Sequence, residues 1–178
     1  TYDVTPFYIY NEKAPKRIQK ILPNSKLIVI LRNPIDRSYS NYFLGNQDKS
    51  FEEVIENEKK ILNKINKSNP DEYYNFVHTS MLSRGFYAEQ LENWYKVFPK
   101  NQILIIQSEE FIKNPNKVMN DIFDFLDLPH YEIPDTSKKN KIYYDPMKKE
   151  TRSDLIKFFR PYNEKLYSLI GRNFNWDN

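Results

Sequence analysis

Two short, uninterrupted apolar runs constrain the fold of this chain more than anything else in it. They are KLIVIL at residues 26–31 and QILIIQ at residues 102–107. Each has the length of a strand, and neither alternates with polar residues. Such runs suit strands buried on both faces, as in a parallel sheet. Parallel strands need a long crossover, usually helical, and the residues between the runs supply one. Asn33 is a candidate N-cap and Pro34 a candidate first residue for a helix over 34–44. Ser50-Phe51-Glu52-Glu53 reads as a capping box. Behind it, Phe51, Val54, Ile55, Ile61, Leu62 and Ile65 mark an amphipathic helix to about Asn66. The segment 85–98 sets Tyr87, Leu91, Trp94, Tyr95 and Phe98 on one helical face, with Ser83 as its candidate cap. Strands separated by helices predict an α/β fold with a mostly parallel sheet. Two strands make a poor sheet on their own. Further strands are therefore expected, either hidden by the pattern or outside this chain.

The rest of the chain reads less sharply. Residues 2–10 (YDVTPFYIY) are rich in β-formers around Pro6 and predict a short strand running into a turn. Residues 14–22 predict a helix on Ile18, Ile21 and Leu22. The polar stretch 67–75 predicts a surface loop. Asn114-Pro115 opens a helix carrying Val118, Ile122, Phe123, Phe125 and Leu126, and residues 129–147 show no periodicity. Residues 151–170 are helical again, with Pro161 expected to break them into two pieces.

Composition removes whole classes of chemistry. The 178 residues include three glycines, Gly45, Gly85 and Gly171, and none is spaced for GxxxxGK[ST] or GxGxxG. A glycine-rich phosphate cradle is thus excluded within this chain. With no cysteine and only His78 and His130, thiol catalysis, zinc ribbons and histidine-rich metal sites are excluded too. The net charge of +3 is small for a duplex-DNA binder. No apolar run approaches the ~18 residues needed to span a bilayer. The chain opens on Thr1, and no signal peptide is visible.

The informative stretch for chemistry is KLIVILRNPIDRSYSNY, residues 26–42. Arg32 directly follows the first strand. Ligands of open α/β sheets bind beyond the carboxyl ends of the strands, so Arg32 is placed to meet an anion. Ser40 lies eight positions further, about two turns into the next helix. A guanidinium offers forked donors and a hydroxyl one more, which together suit a phosphate. The competing reading pairs Arg32 with Asp36 or a nearby carboxylate and leaves Ser40 on an ordinary helix surface. Glu109 and Glu110 follow the second strand, but adjacent residues point to different sides, which favours a structural role over an acid/base pair. His78 and His130 read as surface residues, and Leu91 and Trp94 as core.

RNPIDRSYSNY resembles the 3′-phosphate-binding motif of sulfotransferases that use 3′-phosphoadenosine 5′-phosphosulfate (PAPS), of the heparan and bacterial carbohydrate type. Four other segments are similar to that family in its order: TPFYIY with APKRI, SRGFYAEQLENWYKVFP, QILIIQSEEFIKNP with IFDFLDL, and YYDPMKKETRSDLIKFFRPYNEKLYSLIG. The resemblance implies that Arg32 and Ser40 hold the 3′-phosphate. It makes Lys139, Lys141 and Tyr144 candidates for nucleotide contact, in a loop that reads SKKNKIYYDPM and lacks the family's usual glycine and Tyr-Pro pair. Solvated loop lysines are the alternative there. Asp3 and Arg84 are candidates for the acceptor side. Val4 stands where heparan-type members carry lysine.

The implied fold is a three-layer, P-loop-NTPase-like α/β sulfotransferase fold with a central parallel sheet. Residues 1–178 are read as one sulfotransferase domain whose phosphosulfate loop and catalytic base lie upstream of Thr1. Sulfuryl transfer needs donor and acceptor in line, stabilisation of the developing charge and a base for the acceptor proton. The implied partners are PAPS or adenosine 3′,5′-bisphosphate and a carbohydrate hydroxyl or amine; no metal and no nucleic acid is required. This chain alone is expected to bind nucleotide weakly and to turn nothing over. The alternatives are a nucleotide or sugar kinase on a related fold, and a non-catalytic nucleotide- or nucleic-acid-binding protein. Absence of cysteine suits the cytoplasm, and the Golgi lumen is the alternative that the resemblance suggests.

Overall fold

The computed structural model describes residues 1–45, 48–66, 68–134 and 144–177. Strands β1 (Leu27–Leu31) and β2 (Ile103–Gln107) pair in parallel, with Leu27 opposite Ile103 and Leu31 opposite Gln107. They form a two-stranded sheet among the described residues. Helix α1 (Ala14–Ile21) precedes β1. The crossover comprises α2 (Pro34–Tyr42), α3 (Phe51–Leu62), α4 (Pro70–Thr79), a 3-10 turn at Ser83–Gly85 and α5 (Tyr87–Tyr95). After β2 come α6 (Ser108–Lys113), α7 (Pro115–Phe125) and α8 (Lys149–Ile170).

The pleat sorts the strand side chains to two faces. Leu31 packs with Leu91 of α5 and Leu166 of α8, and Ile103 with Ala14 of α1 and with Trp94 and Phe98. On the other face Ile106 packs with Val118 and Ile122 of α7. Helices thus cover both faces, which gives the three layers of an α/β fold. A further cluster joins Ile35 of α2, Phe51 and Ile55 of α3, Leu82 and Phe86, and Leu155 and Phe159 of α8. The expectation that β1 is buried on both faces is corrected. Ile28 and Ile30 lie on the α7 side, yet they are 38% and 52% exposed. The packed cluster against α7 is built from β2 side chains, not from these two.

Local signals placed several helix starts well. The Asn33 side chain accepts from the Ile35 N–H, and Pro34 is the first residue of α2. Ser50 and Glu53 form the reciprocal capping box at the start of α3. Four other readings change. Residues 2–10 form no strand: the Thr5 hydroxyl accepts from the Phe7 N–H, Tyr8 donates to Asp3, and the segment turns over residues 6–10. Much of the expected loop 67–75 is α4. Asn69 caps the Glu72 N–H, and Asp71 and Glu72 occupy the first turn, where acidic residues oppose the helix dipole. Ser83 caps no helix; its hydroxyl donates to Glu58 instead. Pro161 does not divide α8. Buried Leu155, Phe159, Asn163 and Leu166 hold one helix on both sides of it, and such packing outweighs a lost backbone bond. Gly171 then ends that helix with φ 68°, a conformation glycine adopts at no steric cost.

Candidate functional site

Parallel pairing brings the carboxyl ends of β1 and β2 to one edge, and Arg32 and Glu109 come with them. The peptide group between Arg32 and Asn33 is held at both ends. Its carbonyl accepts from the Tyr87 hydroxyl at 2.9 Å, and its N–H donates to Glu109 Oε1 at 2.7 Å. Glu109 Oε2 accepts from the Trp176 indole N–H at 3.3 Å, which ties in the end of the chain. Glu110 turns elsewhere, accepting from Asn114 at 2.9 Å. The two adjacent carboxylates therefore serve different partners, as their adjacency implied.

This clamp fixes the backbone from which the Arg32 side chain leaves. The side chain itself is half-buried and makes no ion pair or hydrogen bond among the described residues. The expected competitor, Asp36, is occupied: Arg152 of α8 donates to its Oδ1 at 2.8 Å. Of the two serines in RSYS, Ser38 is fully buried and donates to the Ile35 carbonyl at 2.8 Å. Ser40 is half-buried and its hydroxyl has no partner among the described residues. Ser40 lies seven positions beyond the cap Asn33. Two helical turns separate them, so they share a side of α2, about 10 Å apart along its axis. An arginine and a hydroxyl, both without hydrogen-bond partners among the described residues, thus belong to one loop-and-helix segment.

Lys139 and Lys141 lie outside the described residues. Tyr144 is described and packs on α2. Its ring stacks on Phe43 at 4.6 Å and meets Tyr39 edge-on at 5.4 Å, while the Tyr39 hydroxyl donates to the Asp145 carbonyl at 3.0 Å. The Tyr144 end of the lysine-containing segment is therefore anchored to the helix that bears Ser40.

Arg84 sits in the 3-10 turn before α5, its guanidinium 5.2 Å from the Tyr10 ring and 5.9 Å from the Phe7 ring. The exposed His78 stacks on Phe7 at 5.0 Å. Tyr10 is buried with its hydroxyl unpartnered, and burial raises its phenol against the opposing pull of Arg84 and Arg37. Asp3 accepts from the Tyr8 hydroxyl at 2.8 Å, and no hydrogen bond or ion pair joins it to Arg84. His130 lies beside Asp124 at the surface. Leu91 and Trp94 are core, and the Trp94 indole donates to the Ile9 carbonyl at 3.0 Å.

Sequence reading did not find Arg37, Tyr87 or Glu58 as parts of this region. Arg37 donates to the Met81 carbonyl. Burial pulls its guanidinium below the usual range, opposed by Tyr87 and Glu58. Burial likewise pushes the Tyr87 phenol up. The partners are 22 to 55 positions apart in the chain, so no local spacing announces them. Among the described residues no group of three or more His, Asp or Glu converges as a metal site would, and no helix is long and apolar enough to cross a membrane.

These features define an α/β protein in which Arg32 stands just beyond the carboxyl end of a parallel sheet. The chain belongs to the sulfotransferase domain family, whose model matches residues 10–163. It is similar to "Membrane-associated sulfotransferase kil1" of Dictyostelium discoideum, at 29% identity over 99% of this chain and 53% of that protein. It is also similar to "Heparan sulfate glucosamine 3-O-sulfotransferase 6" of Mus musculus, at 27% identity over 99% of this chain and 56% of that protein. Among solved structures, the sulfotransferase from Alicyclobacillus acidocaldarius matches with a TM-score of 0.75 and 29% identity, covering 97% of this chain and 65% of that one. The chain therefore spans about half the length of these curated relatives. The fold is that of a P-loop-like sulfotransferase, and the kinase and nucleic-acid-binding readings find no support in these relatives.

Proposed function

We propose that the protein transfers a sulfuryl group from PAPS to a hydroxyl or amine of a carbohydrate, and that this chain supplies the grip on the donor nucleotide. The carrying observation is Arg32: a cation at the carboxyl end of the sheet, its peptide clamped by Tyr87 and Glu109, with its nearest carboxylate in sequence already paired to Arg152. An arginine so held can offer forked donors to a 3′-phosphate, and Ser40 a further hydroxyl. PAPS brings the activated sulfuryl group; the residues here bind and orient it. Tyr144, Lys139 and Lys141 belong to the segment assigned to the nucleotide. Arg84, with Asp3 on the same N-terminal side, is assigned to the acceptor. The carbohydrate class rests on the names of the heparan sulfate relatives.

The test is calorimetric titration of the full-length protein with adenosine 3′,5′-bisphosphate. Arg32→Ala is expected to weaken binding by about 1.5–3 kcal/mol, the loss of a charge-assisted hydrogen bond. Unchanged affinity removes Arg32 from the site. ATP competing as well as PAPS does would revive the kinase reading.

A further inference from the structure

Glu58 of α3 is only 6% exposed, and every donor around it comes from one short turn. Its Oε1 accepts from the Ser80 hydroxyl, from the N–H groups of Leu82 and Ser83, each at 2.9 Å, and from the Ser83 hydroxyl at 3.1 Å. Its Oε2 accepts from the N–H groups of Met81 at 2.7 Å and Leu82 at 3.0 Å. A carboxylate is costly to bury unless its oxygens are satisfied. Here the turn 80–83 is shaped around the anion as a ring of donors. A core position that needed only packing would be better served by an apolar residue.

The turn is also the place where two assigned halves of the site meet. On one side the Met81 carbonyl accepts from Arg37 of α2, and the Met81 sulfur from Asn41 of α2 at 3.1 Å. Arg37 and Asn41 bracket Ser40 on that helix. Two residues past Ser83, Gly85 touches the start of α2. A Cβ on it would lie 2.7 Å from the Pro34 Cβ and 2.9 Å from the Phe159 ring. On the other side the same turn carries Arg84 onto the Phe7 and Tyr10 rings. No hydrogen bond or ion pair joins Glu58 to Ser40 or to Arg84; its bonds go to the turn 80–83 that lies between them.

We infer that Glu58 is a positioning residue: its buried carboxylate locks the turn 80–85, and through it fixes α2 with Ser40 relative to Arg84. The inference rests on the assignment of Arg32 and Ser40 to the donor nucleotide. The Met81 backbone is the link. Its N–H is held by Glu58, and its carbonyl by the guanidinium of Arg37. Neutralising Glu58 replaces an acceptor-only group by one that presents two N–H donors to a ring of donors. The turn must then open, and α2 loses its seat.

Calorimetry with adenosine 3′,5′-bisphosphate on the full-length protein, well below its Tm, separates positioning from stability. A lost fold lowers the binding stoichiometry, whereas a displaced α2 raises the Kd of the folded molecules. Glu58→Gln is expected to raise the Kd about tenfold, on the scale of losing hydrogen bonds to a charged group. Ser80→Ala, which removes one donor and leaves the carboxylate, is expected to raise it about threefold. Ile55→Val, on the same helix but facing the core, is expected to lower the Tm and leave the Kd within about twofold. If Glu58→Gln yields no folded protein, Ser80→Ala decides. Kd values equal to wild type in the folding variants, with Arg32→Ala still weakened, overturn the role of Glu58 alone. An unchanged Kd in Arg32→Ala overturns the nucleotide assignment, and this role with it.

Discussion

Arg152, in the first turn of α8, donates to Asp36, in the first turn of α2, at 2.8 Å, and thereby takes from Arg32 the carboxylate nearest to it in sequence. The pair does two things. It seats α2 on α8, and it occupies the carboxylate that would otherwise be Arg32's nearest partner in sequence. Hydrogen bonding to Asp36 also raises the Arg152 guanidinium above its usual range.

Breaking this pair should therefore cost more in binding than in stability. Both side chains are more than a third exposed, so the ion pair is worth only about 0.5–1 kcal/mol after screening. Arg152→Ala frees Asp36 to compete for Arg32, and nucleotide affinity is expected to fall about three- to tenfold. The double variant Asp36→Asn with Arg152→Ala should recover most of it. Titration calorimetry on both variants beside the wild type checks this, and a double variant as weak as Arg152→Ala would contradict it.

The clamp on the Arg32 peptide makes a second prediction. Tyr87→Phe keeps the buried ring and removes only the hydroxyl that donates to the Arg32 carbonyl. A stability loss of about 1 kcal/mol is expected, with weaker nucleotide binding. Glu109→Gln should act in the same direction, because it weakens the acceptor for the Asn33 N–H and the Trp176 indole. Denaturant midpoints and nucleotide affinity measured on the same samples test both.

Gly85 has no room for a side chain. The Cβ of Gly85→Ala would meet the Pro34 ring at 2.7 Å and Phe159 at 2.9 Å. Both neighbours are rigid and fully buried, so the backbone must move. Overpacking of this kind costs about 1–3 kcal/mol, which lowers the Tm of a chain this size by several degrees. A Tm within one degree of wild type, in roughly matched buffers, would mean that α2 yields freely.

Alkaline pH should destabilise the fold. Burial pushes Tyr167 up to about 12, above its ordinary 10.0, and raises Tyr73 and Tyr87 as well. The native state then holds phenolic protons that the unfolded chain gives up near pH 10. Their contribution to stability is present in full below that pH and is lost as pH rises through the native values. The urea midpoint is expected to hold to about pH 9.5 and to fall steeply above pH 10. Tyr167→Phe should flatten part of the fall. A midpoint level to pH 11.5 would contradict the assignment.

How much of this was legible in the sequence follows from the range of each interaction. The Asn33 cap and the Ser50–Glu53 box act within three residues, so the sequence shows both partners at once. The same residue types misled at 67–75, because Asn, Pro and Asp open helices as readily as they make turns. The Asn69 cap and the burial of Val77 settle α4 as a helix. Pro161 misled in the other direction, since its local effect is overridden by buried residues on both sides.

The sequence by itself determined the two parallel strands, the arginine at the end of the first, the serine two turns beyond, and membership of the motif to which both belong. Those features are written in runs and spacings shorter than a dozen residues. Only the tertiary structure decided that Asp36 belongs to Arg152, that Ser38 is bonded within its helix while Ser40 is not, and that Tyr87, Glu109 and Glu58 hold the backbone around them. Except for the Ser38 bond, those contacts join residues 23 to 116 positions apart. Burial and charge pairing choose among many possible partners only once the chain has closed on itself.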